Sequence, residues 1–244
     1  MGDEAGRKAA GQSGATRRPP GLSRAAVLDA ALDIVDRRGI GDLSMRKLGA
    51  ALHVEAMALY RYVQSREALL DGLVDRVMDD LYADPSTLLR PEDDWRDFLQ
   101  RVAAGVRRIA QQHPQLFPLV ATRPPAAPWI RPPLRSLRWV EGFLSGLQER
   151  GFTEDGAIYA YRAFATFLVG HLLLEVSARG VDPVPAAASD EPAPEVDLTA
   201  YPVLSRLAPR LAVEDLDEEF AHSLGNLLDR IGENSRLARP AARG

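Results

Sequence analysis

The stretch LSMRKLGAALHVEAMALYRYVQSREALL, Leu43–Leu70, contains three helical starts in close succession. Ser44 stands before MRKLGAAL, HVE breaks the pattern, AMALYRYV resumes it, and Ser65 then opens REALLDGLVDRVMDDLYA. Leu48, Ala51 and Leu52 of the first piece and Leu59 and Val63 of the second are spaced to face inward. What remains for the surface is Met57, Ala58, Tyr60, Arg61 and Tyr62, with little acid beside them. Such a face is built to touch something.

Two short helices joined by a tight turn, the second exposed, form a helix-turn-helix, whose second helix lies in the major groove of a duplex. The residue chemistry suits that placement. Met45, Arg46 and Lys47, at the start of the first short helix, are expected at the DNA, where Arg46 can pair with guanine or hold a phosphate and Lys47 adds charge beside it. Ala56, Met57 and Ala58 are small or apolar enough to let the backbone approach base edges and thymine methyls. Tyr60 and Tyr62 can donate hydroxyls to phosphates, Arg61 can reach base or backbone, and Arg66 follows Ser65 at a helix N-terminus, which favours an anion.

Working outward, residues 1–21 lack periodicity and read as a disordered basic arm. Ser23 caps a helix whose Val27, Ala30, Ala31 and Ile34 share a stripe, and Gly39 ends it. Residues 22–82 therefore form a small helical head. Beyond Asp84 and Pro85 a second helical domain, 85–237, is expected. Phe98, Leu99, Val102, Val106 and Ile109 mark one helix, the prolines from Pro114 to Pro133 allow only short turns, and helices near 134–150, 153–179 and 213–237 follow. Residues 180–200 are rich in Pro, Ala and acid and read as a flexible loop. No strand pattern occurs, so the fold class is all-α.

Composition narrows the function. The 244 residues are 46% hydrophobic and 26% charged, with a net charge of -4, so contact with DNA must come from a local patch. The absence of Cys excludes a disulfide framework and thiol chemistry. His53, His113, His171 and His222 are scattered without metal-ligand spacing, and no nucleophile, phosphate-loop or dinucleotide motif is present. No enzyme, no cofactor and no metal are expected. The N-terminus lacks a signal-peptide core and the longest apolar run is too short for a bilayer, so a cytoplasmic protein without a membrane partner is expected.

DAAL in the first helix, GIGDLSMRKLGAALHVEAMALYRYV through the motif and REALLDGL after it resemble the DNA-binding domain of the TetR family of bacterial repressors, nearest the tetracycline-repressor branch. The resemblance implies base contacts by Arg46, Ala56, Met57, Ala58, Tyr60, Arg61 and Tyr62, and phosphate contacts by Ser44, Tyr60 and Arg66. His53 departs from it, standing where the family commonly has a turn Gly. LVATRP and GFTEDGAIYAYRAFATFLVGHLLLE resemble that branch's ligand-binding and dimerisation region.

Several expectations follow from the resemblance. One is a homodimer held by the last two long helices, with Phe164, Phe167, Leu168, Leu172, Leu173, Phe220, Leu224, Leu227 and Ile231 at its interface. A near-palindromic operator in double-stranded DNA and release by a small-molecule effector are also implied. Leu119 falls where tetracycline-binding members carry a magnesium-ligating His, so a different effector is expected, with Thr122 and Arg123 lining its pocket. His171 and Glu175, one turn apart, form either a polar pair in that pocket or a self-satisfied pair at the dimer interface. Phe117, Trp129, Trp139 and Phe143 either wall an apolar cavity or pack as core. An alternative reading is a ligand-binding or scaffold protein with weak, non-specific DNA binding.

Overall fold

The computed structural model describes residues 22–88, 94–124, 127–181, 197–212 and 215–235. The basic arm, 1–21, and most of the expected flexible loop, 182–196, lie outside the described residues. Every regular element among the described residues is helical. The helices are α1 Arg24–Arg38, α2 Met45–Ala51, α3 Ala56–Leu59, α4 Arg66–Ala83, α5 Trp95–Gln112, α6 Phe117–Thr122, α7 Leu137–Glu149, α8 Glu154–Ala178, α9 Pro202–Leu211 and α10 Leu216–Asn234.

The expected caps form. Oγ of Ser23, Ser44 and Ser65 accepts the N–H of Ala26 (3.1 Å), Lys47 (3.3 Å) and Ala68 (3.0 Å) respectively, and Thr153 Oγ1 accepts that of Gly156 (3.1 Å). Gly39 closes α1 with φ 77°, its N–H bonded to Val35 O at 2.8 Å. In α1 the buried stripe is Val27, Leu28, Ala31 and Val35, so Ala30 and Ile34 lie at its margin rather than its centre. The head closes over Leu48, Leu59, Val63, Leu69 and Leu73, all buried.

α4 belongs to both domains. It packs on α1 at one end and α5 at the other, and its 18 residues span about 27 Å at the helical rise. In the body, α8 is the central helix, touching α5, α6, α7 and α10. Its 25 residues are long and apolar enough to cross a bilayer, yet it is woven into this core.

Of the residues expected at the dimer interface, Phe164, Leu168 and Leu172 of α8, and Phe220, Leu224 and Ile231 of α10, are buried against their own chain. The apolar residues that α8 leaves outside are Ile158 and Leu174, 39% and 73% exposed, with Phe167 and Leu173 half-buried beside them and Leu227 half-buried on α10. One helix was not expected at all. α9 starts at Pro202, where a missing N–H costs nothing, and continues through Pro209, and none of its residues is buried.

Candidate nucleic-acid interface and its coupling to the body

α2 and α3 are joined by a turn that depends on close backbone approach. Val54 N–H donates to Gly49 O (2.9 Å) and His53 N–H to Ala50 O (3.2 Å). A Cβ on Gly49 would sit 2.7 Å from Val54 O and 3.2 Å from Ala56 N, so only glycine fits. His53 takes the left-handed conformation the turn needs, with φ 56°. The turn thus closes without a Gly at that position, at the cost of some backbone strain.

α3 is shorter than the sequence pattern suggests. It ends at Leu59, whose carbonyl accepts both Tyr62 N–H (2.9 Å) and Val63 N–H (3.0 Å), because the chain must tighten to bring Val63 into the core and Ser65 to the cap of α4. Met57 and Tyr60 project outward, 76% and 42% exposed. Ser44, Arg46, Arg61 and Arg66 are exposed on the same head, while Ala56 and Ala58 are half-buried. Met45 and Tyr62 pack against the core, leaving them only an edge toward solvent. Lys47 pairs with Asp42, whose carboxyl it holds below the usual range, while its side chain stays 43% exposed.

In the body the expected ligand residues separate into three groups. Trp139 and Phe143 join Phe98 and Tyr82 in an aromatic cluster, with Trp139 at 6.2 Å from Phe98, 5.3 Å from Phe143 and 6.4 Å from Tyr82 between ring centroids. They line a chamber of about 460 Å³ whose remaining wall is Thr87, Leu88, Ser136, Arg138 and Gly142. Phe117 is fully buried and lines no part of this chamber, and Trp129 is 65% exposed.

Thr122 and Arg123 form the second group. Thr122 hydroxyl donates to Pro118 O within α6 (2.7 Å). Arg123 reaches across to the head-proximal end of α4, with Nε on Asp71 Oδ1 (2.7 Å), Nη1 on Glu67 Oε2 (2.8 Å) and Nη2 on Glu67 O (3.0 Å). The guanidinium holds the Asp71 carboxyl below its ordinary range. Arg123 is therefore a latch between body and head. A second polar contact joins the domains where His113 Nδ1 lies 2.9 Å from Asp36 Oδ2.

His171 and Glu175 do not pair. Glu175 is buried, held by Arg107 (Nε to Oε2, 2.8 Å), Gln111 (3.1 Å) and Arg179 (2.8 Å), and Arg107 also reaches Asp217 (2.7 Å) and lies over the Phe220 ring at 4.6 Å. His171 packs between Phe167 and Phe220, and burial lowers its pKa. This group ties α5, α8 and α10 together and opens on no described cavity.

A helix-turn-helix head with an exposed basic and aromatic face, joined by one long helix to an α-helical body that contains a chamber, defines a DNA-binding regulator of the one-component type. Residues 27–73 match the family of bacterial regulatory proteins named tetR, and residues 89–234 match the tetracyclin repressor-like C-terminal domain. The chain belongs to the TetR family and is a DNA-binding transcriptional regulator.

Among its relatives, the class C tetracycline repressor of Escherichia coli is 31% identical over 178 residues, covering 70% of this chain and 77% of that protein. The class D repressor of Escherichia coli is 29% identical over 210 residues, 85% and 88% of the two chains. A crystal structure of a possible TetR family transcriptional regulator from Streptomyces coelicolor A3(2) superposes with a TM-score of 0.68 at 28% identity, covering 86% of this chain and 99% of that one.

Proposed function

We propose that this regulator is a repressor that occupies a near-palindromic operator as a homodimer and leaves it when a small molecule enters the body. The observation that carries the reading is α4. Its first turn presents Arg66 beside the helix-turn-helix and receives the Arg123 latch, and Tyr82 near its other end forms a wall of the aromatic chamber. A ligand that fills the chamber can bias the position of one rigid helix, and the spacing of two recognition helices changes with it. DNA is read by Arg46, Met57, Tyr60 and Arg61, with phosphates held by Ser44 and Arg66, while Met45, Lys47 and Tyr62 support the head. The dimer forms on the outer face of α8 and α10 through Leu174, Leu173, Phe167 and Leu227. Leu119 supplies no metal-ligating atom, so the effector is bound directly rather than through magnesium. The repressor names of the relatives support this reading.

The test is fluorescence anisotropy with DNA flanking the protein's own gene, titrated with salt beside scrambled DNA of equal length. Preference for the flanking DNA at near-physiological salt is expected, and equal binding that fades together would favour the non-specific alternative. In sedimentation, Leu174→Glu should give monomers with an intact fold; an unchanged sedimentation coefficient would move the interface elsewhere.

A further inference from the structure

Ahead of α4 the head, residues 22–65, carries the acids Asp29, Asp33, Asp36, Asp42 and Glu55. All but the last are paired. Asp29 meets Arg76 (3.1 Å), Asp33 meets Arg37 (2.8 Å), Asp36 meets His113 (2.9 Å) and Asp42 meets Lys47. Glu55 is exposed, and its carboxylate makes no hydrogen bond or ion pair among the described residues. Yet it immediately precedes α3, at the end of a recognition helix that meets base edges. The local backbone leaves it free. Glu55 is extended (φ -65°, ψ 140°), its carbonyl accepts Ala58 N–H at 2.9 Å, and its side chain does not fold back to cap the helix. Ala56 and Ala58, both half-buried, add only methyl groups, so the start of α3 can come close to the floor of a groove.

A carboxylate brought to a duplex is repelled by the phosphates whatever the sequence, and only a hydrogen-bond donor on a base offsets that cost. The base edges decide which donor it is. An ionised carboxylate accepts hydrogen bonds and donates none. In the major groove guanine and thymine present acceptors, adenine sets an acceptor beside its amino group, and cytosine presents its N4 amino group alone. Cytosine is the base whose edge offers Glu55 a donor with no acceptor beside it. We propose that Glu55 is a specificity-determining residue that reads a cytosine in each half of the operator, its carboxylate accepting from the N4 amino group. Glu55 then favours one sequence by penalising the others, whereas the unpaired Arg46 and Arg61 add attraction. The inference rests on the operator-binding reading proposed above.

The test incubates the full-length protein, Glu55→Ala and Glu55→Gln, at near-physiological salt, with a pool of duplexes carrying a randomised segment, and sequences the bound fraction. The parent should select a near-palindrome in which one position of each half-site favours cytosine over every other base by at least about fivefold. Glu55→Ala should bring that preference to within about twofold of even, with the other positions as in the parent, which also shows that the head is intact. Glu55→Gln should move the preference toward adenine, whose N6 and N7 an amide can pair with together. A motif left unchanged by Glu55→Ala would overturn the contact. Tighter binding by Glu55→Ala to all sequences alike would overturn it too, leaving Glu55 a source of repulsion only. A parent that selects no motif would overturn the operator reading and the inference with it.

Discussion

The head and the body put their aromatic and cationic side chains to opposite use. In the head the core is aliphatic, built on Val27, Leu28, Leu48, Leu59 and Val63, and Tyr60, Arg46 and Arg61 stand outside it. In the body Phe98, Phe143, Phe164 and Trp139 are inside, and Arg107 and Arg123 are tucked against carboxylates, each only 13% exposed at its side chain. A surface that meets a duplex is made of residues the fold can do without. A chamber is made of residues the fold needs, arranged so that they fail to fill the space between them. Function should therefore separate from stability in the head and remain entangled with it in the body.

The largest expected effect is in the body. Glu175→Ala takes the buried carboxylate from Arg107 and leaves it only the exposed Asp217 as an ion-pair partner, which costs about 3 kcal/mol when a buried pair is broken and lowers Tm by roughly 6–12 °C for a chain of this size. A fall in operator affinity at constant Tm would instead make Glu175 a functional residue. In the head, Arg46→Ala and Tyr60→Ala should each weaken operator binding by about 1–3 kcal/mol, roughly fivefold to 150-fold, with no change in Tm. A matching loss of stability would erase the contrast between the two regions.

Arg123→Ala tests the join. Operator affinity without ligand should stay within about threefold of the parent, because the latch does not touch DNA, while the drop in affinity caused by a ligand that fills the aromatic chamber should shrink toward none. Full retention of that response would mean that the signal travels by another contact, and the His113–Asp36 pair would be next in line.

The smallest effect is pH dependence in the body. The folded pKa of His171 lies below its ordinary value of 6.5, mainly through burial. The neutral ring's contribution is thus fully present above 6.5 and is lost as pH falls below it. His171→Leu should flatten the decline of Tm between pH 7.5 and 5.5; an unchanged slope would place the dependence on another group.

The same contrast explains how much was readable from the sequence. In the head, helix period and serine caps give the elements, and residues left off the apolar stripe give the exposed face. Even Gly49 carried a signal, since a glycine beside a turn marks close backbone approach. The Lys47–Asp42 pair is not legible, because Asp42 lies on the preceding helical turn, where a side-chain contact has no periodic signature. In the body, Trp139 and Phe143 read as core or cavity alike, since a space between side chains leaves no mark on their spacing. Arg123 finds Asp71 across 52 positions. α8 is apolar nearly all round, so nothing in its period distinguishes Leu172, which faces its own core, from Leu174, which faces out. α9 was hidden by Pro202 and Pro209, which suggest a break unless the first is recognised as a helix start.

The Arg123 latch has a consequence for the promoter as well as for the protein. Energetic coupling between two binding sites is reciprocal, so if a bound effector weakens the grip on DNA by some factor, bound DNA must weaken the grip on the effector by the same factor. The operator then acts as a competitor at a distance. Copies of the regulator seated on DNA respond at a higher effector concentration than free copies do, and the dose at which genes switch on depends on how many operators a cell carries.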